Sequence, residues 1–381
     1  MALTGFDSGI NLQVQKWTAR SWKYALSNTF FGKFIGKFDI TPNDAGDGVA
    51  ISNSPNSLCH VRMEMTKGAG DKVWFPLRVP LSGHGVVGED NLEGEEETME
   101  YLDWSMELVD IANGVRGRGR LSDKRVKMNV KNDARVALVE WMGRTIDSYT
   151  LHALCGLETE DKNISEVIPD VVATTSSHRI IGGQTAAGVI QSDGFKPGSA
   201  DLSVLDDTSY LMGPQFLDAA VRHAKTLAPK LRPIRVNGRD FYVCFMHPLQ
   251  IKAMRASTDW KSAMENAWSR GKDNPIFSGA SAIWNGVVIH EWERLPYRVA
   301  GELFNTGDTV LGASDEAARA LLCGAQAVAH AYGAVPRPLA KQFDYGRKWG
   351  VGIDCLLAVG KPRFDSRDYG VVVLDTGVAP D

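Results

Sequence analysis

No apolar run in this chain approaches the ~20 residues that a bilayer-spanning helix needs, so no membrane association is expected. Positive charge is not in excess either. There are 42 Lys and Arg against 46 Asp and Glu, a formal net charge of -4, and bulk attraction cannot hold the whole chain on nucleic acid. Cysteine is scarce and odd in number. Cys59, Cys155, Cys244, Cys323 and Cys355 fall mostly in apolar periodic runs, the setting of buried free thiols in a reducing compartment. Residues 1–14 have no basic stretch followed by an apolar core. No secretory signal is therefore expected, and the protein should be made and kept in a cytoplasm. Catalytic signatures are missing too: G-x-S-x-G, H-E-x-x-H and G-x-x-x-x-G-K-[ST] do not occur. Carboxylates are plentiful, but no spacing singles out an acid–base pair. Neither a catalytic residue nor a cofactor is assigned, and enzyme function has no positive support.

What is present is a chain of 381 residues, long enough for two or three packing units. It is 44% hydrophobic and 23% charged, ordinary for a globular protein. The most informative stretch is 71–156. Val73, Phe75, Leu77, Val79 and Leu81 alternate with Trp74, Pro76, Arg78 and Pro80; Leu102, Trp104, Met106 and Leu108 alternate with Asp103, Ser105 and Glu107. Period two predicts the two strands of a long hairpin. Pro76 and Pro80 share a parity, so their missing N–H groups lie along one edge, which marks an edge strand. A two-stranded arm is marginal in water unless something packs on it, and this points to assembly. From Ser122, a good N-cap with Asp123 in the first turn, a helix is predicted to about Cys155. Its apolar face is Val126, Val130, Ala134, Leu138 and Trp141, broadened by Val139, Met142, Ile146 and Tyr149, and Gly156 is its stop. At ~1.5 Å per residue it would be about 50 Å long.

Residues 1–66 read as an arm: a short helix over 14–26, an aromatic segment with Phe30, Phe31, Phe34, Ile35 and Phe38, and a loop over 41–57. The aromatic segment, with Lys33 and Lys37, resembles a short membrane-surface helix. Gly32 and Gly36 weaken it, and burial against a neighbouring element is the better use. Residues 157–209 are turn-rich. Helices are predicted from Pro214 to Leu227, with Pro229 closing, and from Pro248 through Met254, continuing through Trp260, Met264 and Ala267. Strands are expected at 241–246, 282–293, 349–364 and 371–374, a loop at 271–281, and a strand followed by a helix over 318–331.

Three motifs invite chemistry. Gly83, Gly85 and Gly88 spell G-x-G-x-x-G, but a nucleotide site needs a helix start after it. Here Glu89, Asp90, Glu93, Glu95, Glu96, Glu97 and Glu100 follow with no base among them, and they would repel phosphate. A hairpin tip is the reading. Cys244-x-x-His247 and Cys59-His60 lack the partner ligands of a four-coordinate zinc site, so no metal is assigned; Cys244 reads as a strand residue and His247 as the residue before a helix opening. Arg116, Arg118, Arg120, Lys124, Arg125, Lys127 and Lys131 gather seven bases against Asp123. They could bind nucleic acid, form a solvated helix start, or face a partner. The third fits best, because cations near a helix N-terminus oppose its macrodipole and the hairpin tip supplies an equal number of acids. The candidate inter-subunit residues are Glu93, Glu95, Glu96 and Glu97 on one side and Arg118, Arg120, Lys124 and Arg125 on the other.

These elements, in this order, resemble a tailed-phage major capsid protein of the Hong Kong 97-type fold, and more narrowly the capsid family typified by the large-virion-polymerase coliphage podoviruses. The likeness is carried by Lys16 and Trp17, the run Asn28, Thr29, Phe30, Phe31, Gly32, Lys33 and Phe34, the arm opening Asp71, Lys72 and Val73, and the tip Leu92, Glu93, Gly94, Glu95 and Glu96. It continues through the 122–156 helix, His247 and Pro248, residues 274–286, and Leu322, Cys323, Gly324, Ala325, Gln326 and Ala327. It covers nearly the whole chain. The resemblance implies an α+β fold with an N-terminal arm (1–66), an extended hairpin loop (67–121), a peripheral domain with a spine helix (122–209), an axial domain (210–345) and C-terminal strands returning to the peripheral domain (346–381). It implies hexamers and pentamers closing into an icosahedral shell around non-specifically held double-stranded DNA. A separate scaffolding protein, a portal protein and room for a decoration protein belong to the same expectation, with assembly in the bacterial host cytoplasm and the virion capsid as destination. Two alternatives stand beside it. A bacterial nanocompartment shell of the same fold would carry a cargo-peptide groove. A cytoplasmic α/β enzyme would be a monomer or dimer with an occupied polar pocket.

Overall fold

The computed structural model describes residues 29–34, 38–39, 50–51, 57–63, 70–78, 81, 85–87, 93, 96–125, 130–157, 176–236, 238–268, 282–305, 307–312 and 315–379. The helix expected over 14–26 and the loop expected over 271–281 lie outside them. β1 (Phe38–Asp39) pairs antiparallel with β2 (Ala50–Ile51), the latter inside the stretch expected as loop. β3 (Cys59–Arg62) follows. β4 (Lys72–Arg78) and β5 (Tyr101–Glu107) form the expected hairpin, with Val73 opposite Met106, Phe75 opposite Trp104 and Leu77 opposite Leu102. The apolar parity of the sequence is therefore one continuous face of the ladder. The chain then runs on as β6 (Val109–Arg116) in a different sheet, so Arg116 is a strand residue.

The single helix expected from Ser122 is described as α1 (Arg120–Arg125) and α2 (Val130–Cys155). Ser122 is not a cap: it is the third residue of α1, and its N–H bonds the Gly119 carbonyl at 3.0 Å. Gly119 at φ +135° turns the chain before Arg120, so the helix opens earlier than the cap signal suggests. The 26 residues of α2 span about 39 Å. Its stop is as expected. Gly156 sits at φ +59° and the Leu157 N–H reaches the His152 carbonyl at 3.3 Å, the wide bond of a Schellman motif.

The remaining elements are β7 (Arg179–Gly182), β8 (Phe195–Pro197), α3 (Pro214–Thr226), β9 (Ile234–Val236), β10 (Arg239–Met246), α4 (Pro248–Ala256), α5 (Thr258–Trp268), β11 (Ala282–Trp284), β12 (Val287–Glu291), β13 (Tyr297–Arg298), β14 (Glu316–Cys323), β15 (Val328–Phe343), β16 (Lys348–Gly360), β17 (Arg363–Phe364), β18 (Arg367–Asp368) and β19 (Val371–Val378). Two expectations need correction. The strand at 282–293 is a hairpin, because Asn285 (φ +43°) and Gly286 (φ +81°) make the two left-handed positions of a tight turn. The strand-then-helix at 318–331 is strand, turn, strand. Alanine favours helix locally, but Ala329 and Ala331 are buried under the hairpin as sheet residues, and sheet packing overrides propensity.

A nine-stranded sheet runs β11-β12-β10-β14-β19-β7-β8, with β13 on β14 and β9 on β10. Alternation along β14 and β19 splits its core. Ala320, Leu322, Val372 and Leu374 face α3, with Phe216, Leu217 and Ala220, while Leu321, Cys323, Val371 and Val373 face the side of α2. His247 caps α4: its Nδ1 accepts the Leu249 N–H (3.4 Å) and Gln250 Oε1 accepts the His247 N–H (3.1 Å). Cys244 is a buried strand residue, and all five cysteines are free and buried. The second sheet has four strands in the order β3-β15-β16-β6, drawn from 1–66, 67–121, 210–345 and 346–381 alike.

Candidate assembly surface

β16 organises this surface. Its odd-numbered residues Val351, Ile353, Cys355, Leu357 and Val359 are buried in the core that includes Leu138, Met142 and Ile146 of α2. Its even-numbered residues face the other way, as a two-residue period requires. There Ala358, with Ala329 and Ala331, meets Val73, Phe75 and Met106 of the hairpin. Small residues make room for large ones: a Cβ at Gly360 would stand 2.9 Å from Met106 Sδ and from two Trp104 ring carbons. Gly360→Val is expected to overpack this seat and cost about 1–3 kcal/mol, with the Trp104 fluorescence shifting to that of a wetter indole. An unchanged melting temperature and spectrum would refute the packing argument. The hairpin's other face is wet. Trp74 is 54% and Tyr101 60% exposed.

The predicted contact residues fall on surface where described. Glu93, Glu96 and Glu97 of the tip are exposed, as are Arg118, Lys124 and Arg125; Glu95 and the Arg120 side chain lie outside the description. Arg116, which the sequence groups with the helix start, ends β6 with its guanidinium 4.3 Å from the centre of the Phe343 ring, and the chain enters α1 at the same end of the sheet, where a Cβ at Gly119 would lie 3.9 Å from the Arg347 carbonyl oxygen. The tip of the β15–β16 hairpin was missed. Tyr345 there is fully exposed, and Asp344, Tyr345 and Gly346 all have positive φ. The signal was legible as Asp344, Tyr345 and Gly346 between two alternating runs.

Buried charge fixes α2 against the large sheet. Arg319 and Asp375 are a directly opposed cross-strand pair on β14 and β19. Arg319 Nε donates to Asp375 Oδ1 (2.7 Å) and Nη2 to Oδ2 (2.9 Å), Nη1 donates to the Cys155 carbonyl at the end of α2 (2.9 Å), and the guanidinium lies 4.4 Å from the Phe304 ring centre. Arg179 Nε donates to Asp375 Oδ2 (2.7 Å), and its Nη2 to Asp308 Oδ2 (2.9 Å). Two cations thus meet two anions. Burial pushes the Asp375 carboxyl up, but the two guanidiniums outweigh it and hold it below the ordinary value. About two turns earlier on α2, Asp147 accepts the backbone N–H groups of Phe30 (2.8 Å) and Phe31 (3.3 Å). These rings pack with Phe245 and Trp292, so Phe31 is buried and Phe30 and Phe34 are half-buried against neighbouring elements, the use expected of them.

His330, a residue of β15, is fully buried against α2. Thr150 Oγ1 donates its one proton to the Ile146 carbonyl (2.8 Å), so at 3.1 Å it accepts from His330 Nε2. That fixes the neutral tautomer, and Nδ1 has no hydrogen-bond partner among the described residues. Burial lowers the imidazole to about 4. The unfolded chain takes up its proton below the ordinary value of about 6.5 while the folded chain does not, so stability is lost as pH falls from about 6.5 to about 4, by up to ~3 kcal/mol. His330→Gln is expected to flatten that limb in urea titrations at pH 7 and pH 4.5. An equally steep limb in the variant would count against His330 as its source.

Among the described residues, no three His, Cys, Asp or Glu side chains gather as a metal site. The sequence pattern of a family described as phage capsid protein matches residues 6–380. The major capsid protein of Pseudomonas phage KPP25 is 25% identical over 395 residues, covering 97% of this chain and 96% of that one. Among solved structures, the capsid of Ralstonia phage GP4 is 26% identical, covers 86% of this chain and 89% of its own, and superposes with a TM-score of 0.69. The capsid asymmetric unit of cyanophage Pam1 is 21% identical, covers 90% and 100%, and gives 0.65. The expected α+β fold resembling the Hong Kong 97 type is borne out by these likenesses.

Proposed function

The chain belongs to the phage capsid protein family, and from that premise we propose that it is a major capsid subunit whose copies close into an icosahedral shell around double-stranded DNA. The family match across residues 6–380 is the observation that carries this reading. The geometry supports it. A hairpin half-seated on its own sheet leaves an aromatic face outward, suited to the many weak contacts whose sum holds a shell together. The same reading assigns hexamers and pentamers as building blocks, 1–66 as arm, 67–121 as extended loop, 122–209 as peripheral domain, 210–345 as axial domain and 346–381 as returning strands. It assigns a separate scaffolding protein and a portal as partners, with room for a decoration protein, and the host cytoplasm as the place of assembly. Glu93, Glu95, Glu96 and Glu97 would meet Arg118, Arg120, Lys124 or Arg125 of a neighbour. The test is negative-stain electron microscopy of the chain alone and co-expressed with its neighbouring reading frames. Closed shells or capsomer rings are expected; a uniform small particle under every condition would overturn the reading.

A further inference from the structure

The stretch 222–239 carries six bases, Arg222, Lys225, Lys230, Arg232, Arg235 and Arg239, and no acid. All six are exposed. Backbone contacts gather them. The Leu231 N–H donates to the Ala224 carbonyl (3.0 Å), which folds the chain back onto the end of α3 before it enters the β9–β10 hairpin. Arg367 of β18, also exposed, donates from Nη1 to the Ala228 carbonyl (3.1 Å) and brings in the β17–β18 hairpin. Arg235 Nε pairs with Asp240 Oδ1 (3.0 Å); among the described residues the other five have no ion pair. Asp365, in the β17–β18 turn, is an exposed acid at the margin. The α3 dipole accounts for Lys225 in the last turn but not for the bases beyond the helix. Nor does the patch have the make-up of a protein interface, whose centre is apolar and poor in charge. Among the described side chains, no large apolar one from 222 to 240 or from 361 to 370 is exposed. A surface rich in guanidinium and poor in apolar groups suits phosphate. The net negative charge of the chain does not oppose this, because charges more than ~10 Å away are screened at 0.1 M salt. We propose that this surface is where each subunit meets the phosphate backbone of the enclosed duplex DNA, facing the shell interior and reading no sequence. Such contacts weaken steeply with salt, so they position DNA without trapping it. The inference rests on the shell reading above and names the site at which the subunit would touch the genome.

The test is amine acetylation by a small reagent, read by mass spectrometry on DNA-filled shells, on the same shells after DNA release, and on DNA-free precursor shells. Lys225 and Lys230 are expected to lose most of their reactivity in filled shells and to regain it once the DNA is gone. Equal labelling in filled and emptied shells would overturn the inference and leave the shell reading intact. So would protection confined to the precursor, which would mark the patch as the seat of an acidic protein. Failure of the chain to form any shell would overturn both. Independently, full-length subunits are titrated with a random-sequence duplex at several salt concentrations. Lys225→Gln, Lys230→Gln and Arg232→Gln together should lower the slope of log affinity against log salt by about 2–3, since each phosphate contact contributes ~0.9, with the melting temperature unchanged. An unaltered slope, or no binding by the unmodified subunit, would overturn the inference.

Discussion

Replacing Asp375 by Asn is expected to remove about 3–5 kcal/mol of stability, because it leaves two buried guanidiniums facing a single carboxylate. The whole stability of a folded chain is only about 5–15 kcal/mol, so the variant should accumulate largely as aggregate and unfold at much lower urea. The physical claim is sharper than loss of a contact. Arg319→Met with Asp375→Leu removes both members of the cross-strand pair and leaves Arg179 with Asp308. A buried pair exchanged for apolar residues is often close to neutral, so the double variant should be more stable than Asp375→Asn alone. The reverse order would refute the account. The pH dependence has a definite sign. The Asp375 carboxyl is held below its ordinary value in the folded chain. Its contribution is therefore complete above about 3.8 and is lost as pH falls through the folded value, below the range in which His330 acts.

Reversing Glu93, Glu95, Glu96 and Glu97 to Lys is expected to abolish shell formation, as is reversing Arg118, Arg120, Lys124 and Arg125 to Glu, while combining both sets should restore part of it. Like charges brought together at an interface cost several kcal/mol, and a shell repeats that cost at every subunit. The second set should not harm the subunit itself. An acid at position 120, the first residue of α1, suits the helix dipole, whereas Lys124 and Arg125 lie in its last turn, where bases are favoured; the two effects oppose each other, so a melting temperature close to that of the wild type is part of the expectation. Shell yield is read by sedimentation. Failure of the combined variant to recover any shells would sink the proposed pairing; rescue that weakens as salt rises would place the contacts at a solvent-exposed rim.

Much of this was legible in the chain because its signals are local. Alternation gave each hairpin strand its apolar face, and the structure added the register that sets Phe75 opposite Trp104. Pro214 and Pro248 opened their helices, and Gly156 closed α2. The failures differ in cause. Residues 318–331 are an apolar run that suits either secondary structure, and only burial decided between them, whereas at 282–293 the strand character was right and the Asn285-Gly286 turn within it was overlooked. Ser122 had the chemistry of a cap, but Gly119 had already turned the chain.

By itself the sequence determined period, parity and charge: which residues share a strand face, where the carboxylates gather, and which elements begin and end. Those properties depend on residues a few positions apart. Tertiary structure alone decided that Arg319 meets Asp375 across two strands and Cys155 at the end of a helix. It decided that small residues of β15 and β16 lie under the hairpin, and that the rest of that face stays open. These are contacts between segments tens to hundreds of residues apart, set by how two sheets and one long helix pack, and no local pattern encodes them.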